Sequence, residues 1–114
     1  MSLSFTVNDE ILHLMVKVIV QECDPERIIL FGSRAGHTFR PDSDVDLLVI
    51  SRNPFGHDRN RVMEMARLER ALGRIKVPTD ILLYSIEEVE RRREAPNHLI
   101  NSALREGITL YERH

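Results

Sequence analysis

The stretch Phe31-Gly32-Ser33-Arg34 is followed, eleven residues after Ser33, by Asp44-Val45-Asp46 at the head of the apolar run Leu47-Leu48-Val49-Ile50. A third acid, Asp80, opens another apolar run, Ile81-Leu82-Leu83-Tyr84. Gly32, directly after an apolar run, lets the backbone approach a ligand with no β-carbon in the way. Ser33 adds a hydroxyl, and a short helix starting there would offer free amides to phosphate oxygens. The Gly-x-x-x-x-Gly-Lys pattern of a P-loop is absent. Residues two apart on a strand share a face, so Asp44 and Asp46 project together with Cα atoms about 6.5–7 Å apart. Two carboxylates about 6 Å apart at an effective dielectric near 20 repel by roughly 3 kcal/mol, which a cation would offset. Magnesium suits them, because it takes hard oxygen ligands and binds through one or two carboxylates plus substrate phosphates. Two ions roughly 3.5–4 Å apart would clamp the attacking and leaving oxygens of an in-line phosphoryl displacement. Taken singly, Asp44 reads as a turn cap with Ser43, Asp80 as a strand-edge acid and Gly-Ser as an ordinary turn. Three acids and a phosphate turn in one short chain point instead to metal-dependent nucleotidyl transfer.

These residues need elements to position them. Arg27 to Phe31 is short, branched and apolar, so it reads as a buried strand that stops at Gly32. Asp44 to Ser51 is the second strand. Leu48 and Ile50 continue the side of the acids, and Val45, Leu47 and Val49 take the other, so this strand is central, with the acids at its N-terminal end. Thr79 to Tyr84 is the third strand, again with its acid at the start. The three carboxylates converge if the third strand lies beside the second, an adjacency that the sequence leaves open.

Around these strands, Thr6-Val7-Asn8-Asp9 offers capping chemistry for a helix carrying Ile11, Leu14, Met15, Val18 and Ile19, which ends before Asp24-Pro25. A second helix follows Asn53-Pro54-Phe55-Gly56, with Val62, Met65, Ala66, Leu68 and Leu72 on its inner face and Gly73 at its end. Ser85 and Glu88 form a capping box ahead of a charged helix. A last helix restarts at Pro96-Asn97, runs through Leu99, Ile100, Ala103 and Leu104, and closes at Gly107. Thr109-Leu110-Tyr111 suggests a short edge strand. The fold class is α/β (α+β): a small mixed sheet of three to four strands packed by helices.

At 114 residues the chain reads as a single domain, 1–114, too small to hold both a core and a separate substrate domain. Its net charge of −2, with acids and bases interspersed, argues against a general nucleic-acid binder. The single cysteine, Cys23, excludes an internal disulfide and a cysteine metal cluster and reads as a packing residue. No signal pattern or membrane-spanning run is evident, so the expectation is a cytoplasmic protein. The histidines at 13, 37, 57, 98 and 114 show no metal-ligand spacing, although His37 lies near the site. Arg91-Arg92-Arg93 follows Glu87, Glu88 and Glu90 at helical distances and reads as a salt-bridged exposed helix. Arg59 and Arg61, opening the second helix, either face the nucleotide or face nothing.

Gly32-Ser33, its spacing to Asp44-Val45-Asp46 and the later Asp80 together resemble the DNA polymerase β-like nucleotidyltransferase superfamily. The length and the run from Asn97 to Gly107 look like its smallest branch, the minimal nucleotidyltransferases. The resemblance implies that Gly32 and Ser33, with Arg34 beside them, hold the β- and γ-phosphates of a nucleoside triphosphate such as ATP. It implies that Asp44 and Asp46 bind two magnesium ions, and that Asp80 binds the catalytic ion and accepts the proton of the attacking hydroxyl. Many members read Gly-Ser-Arg-Ala-Arg-Gly where this chain has Gly32-Ser33-Arg34-Ala35-Gly36-His37, so Arg34, Arg40 or His37 would have to serve for the second arginine. Single-domain members commonly pair with a helical HEPN-domain protein in toxin–antitoxin modules. The resemblance then implies adenylyl transfer to a tyrosine of the toxin, with the transferase as antitoxin. Two alternatives stand beside it: transfer to a small molecule such as an antibiotic, for which a homo-oligomer interface would have to supply the pocket, and a non-catalytic module that inhibits its partner by contact.

Overall fold

The computed structural model describes residues 9–32, 45–56, 59–93 and 99–113. The cap at Thr6-Val7-Asn8, the turn residues Ser33 and Arg34 with the segment to Asp44, and the restart at Pro96-Asn97 lie outside the described residues. Among those described, the chain forms α1 (Asp9–Cys23), β1 (Arg27–Phe31), β2 (Val45–Ser51), α2 (Arg61–Leu72), β3 (Thr79–Ser85), α3 (Ile86–Arg92), α4 (Leu99–Glu106) and β4 (Ile108–Glu112). The strands make one sheet in the order β3-β2-β1-β4. β1 runs antiparallel to both β2 and β4, and β2 runs parallel to β3.

Strand alternation divides the core between the two faces of this sheet. Ile28, Leu30, Val45, Leu47, Val49, Ile81 and Leu83 point to one face, where Met15 and Ile19 of α1 and Leu68 and Leu72 of α2 cover them. Ile29, Leu48 and Ile50 point to the other, under Val89 of α3 and Ile100 and Ala103 of α4. β2 is therefore central and buried on both faces. Among the described residues, no helix is long and apolar enough to cross a membrane.

The helix ends carry specific chemistry. α1 stops at Asp24, whose φ of 46° is left-handed and whose N–H donates to the Val20 carbonyl at 3.0 Å. Cys23, half-buried at that end, packs against the core, and burial pushes its thiol pKa up to about 11. The Ser85–Glu88 capping box is present: the Ser85 N–H donates to Glu88 Oε1 at 3.0 Å and the Glu88 N–H donates to Ser85 Oγ at 3.2 Å. Gly107 closes α4 at a point of close approach. A β-carbon there would lie 2.4 Å from the Ala103 carbonyl oxygen and 2.5 Å from Ile29 Cγ2. Gly107→Ala is therefore expected to cost about 2–3 kcal/mol by overpacking, measured by urea denaturation.

Two expectations need correction. Val62 and Ala66 do not face the core: Val62 is 73% exposed, and the inner stripe of α2 is Met65, Leu68 and Leu72. The helix offers two weak apolar stripes, and packing against α1 selects one. Gly73 ends α2 as expected. It stays right-handed (φ −59°), the chain tightens into a 3₁₀ turn over Gly73–Ile75, and Lys76 takes the left-handed conformation at φ 50°. The glutamates ahead of Arg91-Arg92-Arg93 divide: Glu90 pairs with Arg93 at 3.3 Å, whereas Glu88 pairs with Arg61 of α2.

Candidate active site

The sheet topology assembles the site. β1 is antiparallel to β2, so the end of β1 meets the start of β2, with Phe31 opposite Asp46. β2 is parallel to β3, so two strand starts lie side by side, with Asp46 level with Asp80. Neighbouring strands are about 4.8 Å apart, and parallel neighbours in register share a face, so the two carboxylates stand next to each other. Both belong to the face covered by α3 and α4, where Leu48 and Leu82 follow them.

Gly32 meets this pair directly after Phe31. Its φ is +76°, and a β-carbon built on it would lie 2.2 Å from Asp46 Oδ2 and 3.1 Å from its carboxyl carbon. The Asp46 carboxylate thus occupies space that only glycine leaves free, and the turn lies against the acid. Asp46 is partly buried and Asp80 is exposed at the edge. Both acids, with Gly32, thus come to one edge of the sheet. Ser33, Arg34 and Asp44 lie outside the described residues, and among those described no group of three metal-ligating side chains forms. The two adjacent carboxylates form a hard oxygen donor set, the kind that magnesium takes.

A cavity of about 430 Å³ opens beside Asp46 and is lined by Phe31, Gly32, Leu99, Ser102, Ala103 and Glu106. Phe31, Leu99 and Ala103 give it an apolar side, and Ser102 and Glu106 a polar one. Sequence reasoning missed these two residues. A signal was present, since Leu99, Ser102, Ala103 and Glu106 recur at i, i+3, i+4 and i+7 and so share a helix face.

Arg59 and Arg61 stand elsewhere. The Arg59 guanidinium donates to both carboxylate oxygens of Glu64, at 2.8 and 2.6 Å, and to Ser51 Oγ at 2.8 Å, and it lies over Phe55 at 4.5 Å. Arg61 pairs with Glu88 and lies over the rings of Phe55 (5.0 Å) and Tyr84 (5.3 Å). Ser51 and Ser85 end β2 and β3, so these arginines sit about 15 Å along the strands from the acids and do not face them. Burial alone would raise the Glu88 carboxyl, but the Ser85 N–H and the Arg61 guanidinium outweigh it and hold the pKa below its ordinary 4.5. A depressed carboxyl stabilises the fold above its unfolded pKa, and that stability disappears as pH falls through the folded value. Glu88→Gln is accordingly expected to cost about 1 kcal/mol at pH 7 and progressively less as pH falls and the folded carboxyl takes up its proton, measured by urea denaturation across an acid pH series.

Residues 15–114 match the family described as Polymerase beta, Nucleotidyltransferase. Among solved structures, a minimal nucleotidyltransferase is 33% identical, with 84% of this chain and 85% of that one covered and a TM-score of 0.55. A nucleotidyltransferase from Sulfolobus solfataricus is 17% identical over 91% of this chain and 79% of that one, with a TM-score of 0.58. A toxin–antitoxin structure with AMP-PNP is 21% identical over 89% of this chain and 73% of that one, with a TM-score of 0.53. No curated protein sequence is significantly similar to the chain. With the family's match running from Met15 to the last residue, and a sheet that brings Gly32, Asp46 and Asp80 to one edge, the chain belongs to the polymerase β nucleotidyltransferases and, within them, to the minimal nucleotidyltransferases.

Proposed function

We propose that this chain, as a single nucleotidyltransferase domain over residues 1–114, is a magnesium-dependent cytoplasmic enzyme that transfers AMP from ATP to a hydroxyl of a partner protein, and that it is the antitoxin of a HEPN-domain toxin. The observation that carries the reading is the in-register pair Asp46–Asp80 with Gly32 against Asp46. The toxin–antitoxin structure with AMP-PNP, at 21% identity, supports the donor and the kind of partner. Asp46 and Asp80, together with Asp44, hold the magnesium. When bound, magnesium supplies positive charge beside the α-phosphate and the leaving pyrophosphate. Gly32, Ser33 and Arg34 orient the β- and γ-phosphates, which aligns the α-phosphate with the incoming hydroxyl. Asp80, exposed at the edge, takes the proton of that hydroxyl as its oxygen bonds to the α-phosphorus and the bond to pyrophosphate breaks.

The test is isothermal titration with ATP, GTP, CTP and UTP, with and without magnesium, on the wild type and on Asp44→Asn/Asp46→Asn. Magnesium-dependent binding, strongest for ATP and lost in the double variant, is expected. Nucleotide binding that is indifferent to magnesium and to both acids would overturn the assignment. With a helical partner in hand, neutralisation that survives Asp46→Asn would replace transfer by inhibition through contact.

A further inference from the structure

On the sheet face away from the Asp46 and Asp80 side chains, α1 and α2 pack side by side. They leave a groove of about 600 Å³, larger than the cavity beside Asp46. Its floor is apolar: Leu14 and Val18 come from α1, and Ala71 and Ile75 from α2 and the turn after it. Leu14 is 48% exposed, so a large apolar side chain is left to solvent in the groove. Along one lip stand Arg67, Arg70 and Arg74, at i, i+3 and i+7, facing a single lining glutamate, Glu22. Arg67 is engaged with Glu22, at 3.4 Å to the carboxylate and 3.3 Å to the carbonyl. Among the described residues, Arg70 and Arg74 make no side-chain hydrogen bond or ion pair.

From this we infer that the α1–α2 groove is a docking surface for an acidic amphipathic helix of a partner protein. An apolar floor between two helices accepts the apolar ridge of a third helix. Guanidiniums spread over about 10 Å of one lip match carboxylates recurring at i, i+3 or i+4, and i+7 on that helix. Charge alone would also suit a nucleic-acid backbone, but such a backbone leaves the apolar floor unused, and the chain as a whole carries a net charge of −2. The inference does not rest on the nucleotide chemistry. A partner seated here lies behind the sheet and leaves the edge with Asp46 and Asp80 open.

The test is selection of a displayed library of 16-residue helical peptides, randomised at their exposed positions, on the full chain. The enriched peptide is then made synthetically and its affinity measured by fluorescence anisotropy. Enriched sequences are expected to place Asp or Glu at helical spacing beside Leu or Ile. Binding should weaken with salt, fall at least tenfold in Arg70→Glu/Arg74→Glu and in Leu14→Glu, and stay unchanged in Met63→Glu on another face of α2. Arg70→Gln/Arg74→Gln, expected to show a smaller loss in the same direction, serves if charge reversal unfolds the chain. Enrichment without acidic bias, or binding unaffected by the arginine variants, overturns the inference. So does a 20-nucleotide oligothymidylate that binds through the same arginines while no peptide does.

Discussion

Asp46→Asn is expected to lower the rate of nucleotide transfer by about 10³-fold, or ~4 kcal/mol of transition-state stabilisation, while leaving the fold intact. Asparagine has the shape of aspartate, so the contact with Gly32 survives and only the charge is lost. That charge is what the proposed site requires. Asp46 lies at the junction of three strands, opposite Phe31 on one side and level with Asp80 on the other. Single-turnover transfer from α-labelled ATP gives the rate, and thermal melting with and without magnesium gives the second readout. Wild type should be stabilised by magnesium with nucleotide, and the variant should not. A variant that transfers at close to the wild-type rate would remove Asp46 from the machinery.

Gly32→Ala is expected to lower kcat/KM by about 10²-fold, since a displacement of about 1 Å at a reacting geometry has that effect. Two costs combine. A non-glycine residue at φ +76° costs about 1–2 kcal/mol. The new β-carbon, 2.2 Å from Asp46 Oδ2, also forces the carboxylate to rotate or the end of β1 to move. Gly56→Ala is the control, because nothing lies within 4 Å of a β-carbon there. Urea denaturation separates the terms. Lost stability with unchanged kcat/KM would mean that the strain is real but that the turn does not position Asp46. A loss of both, with Gly56→Ala unchanged, is the expected result.

Much of this architecture was legible along the chain. β1, β2 and β3 follow from branched apolar runs bounded by Gly32, Pro54 and Pro78, and the alternation in β2 correctly put Asp46 on the side of Leu48 and Ile50. The Ser85–Glu88 box and the stop at Asp24-Pro25 were readable because a cap is a contact over three or four residues. Periodicity was a weaker guide for α2. Val62 and Ala66 lie near the true stripe, and only the packing of α1 decides which apolar residues turn inward. Arg61 and Glu88 are 27 residues apart, so no local pattern announces their pairing.

The sequence by itself determined the elements and the face on which Asp46 projects, and it sets Gly32-Ser33 close ahead of Asp44 and Asp46 along the chain. Periodicity, turns and caps are interactions among near neighbours in the chain, and a single sequence records them. Only the tertiary structure decided that β3 lies parallel beside β2, bringing Asp80 level with Asp46, that Gly32 closes on that carboxylate, and that Ser102 and Glu106 of α4 border the same cavity. Register and helix docking are settled by the burial of both sheet faces at once, a property of the whole chain that no window of it contains.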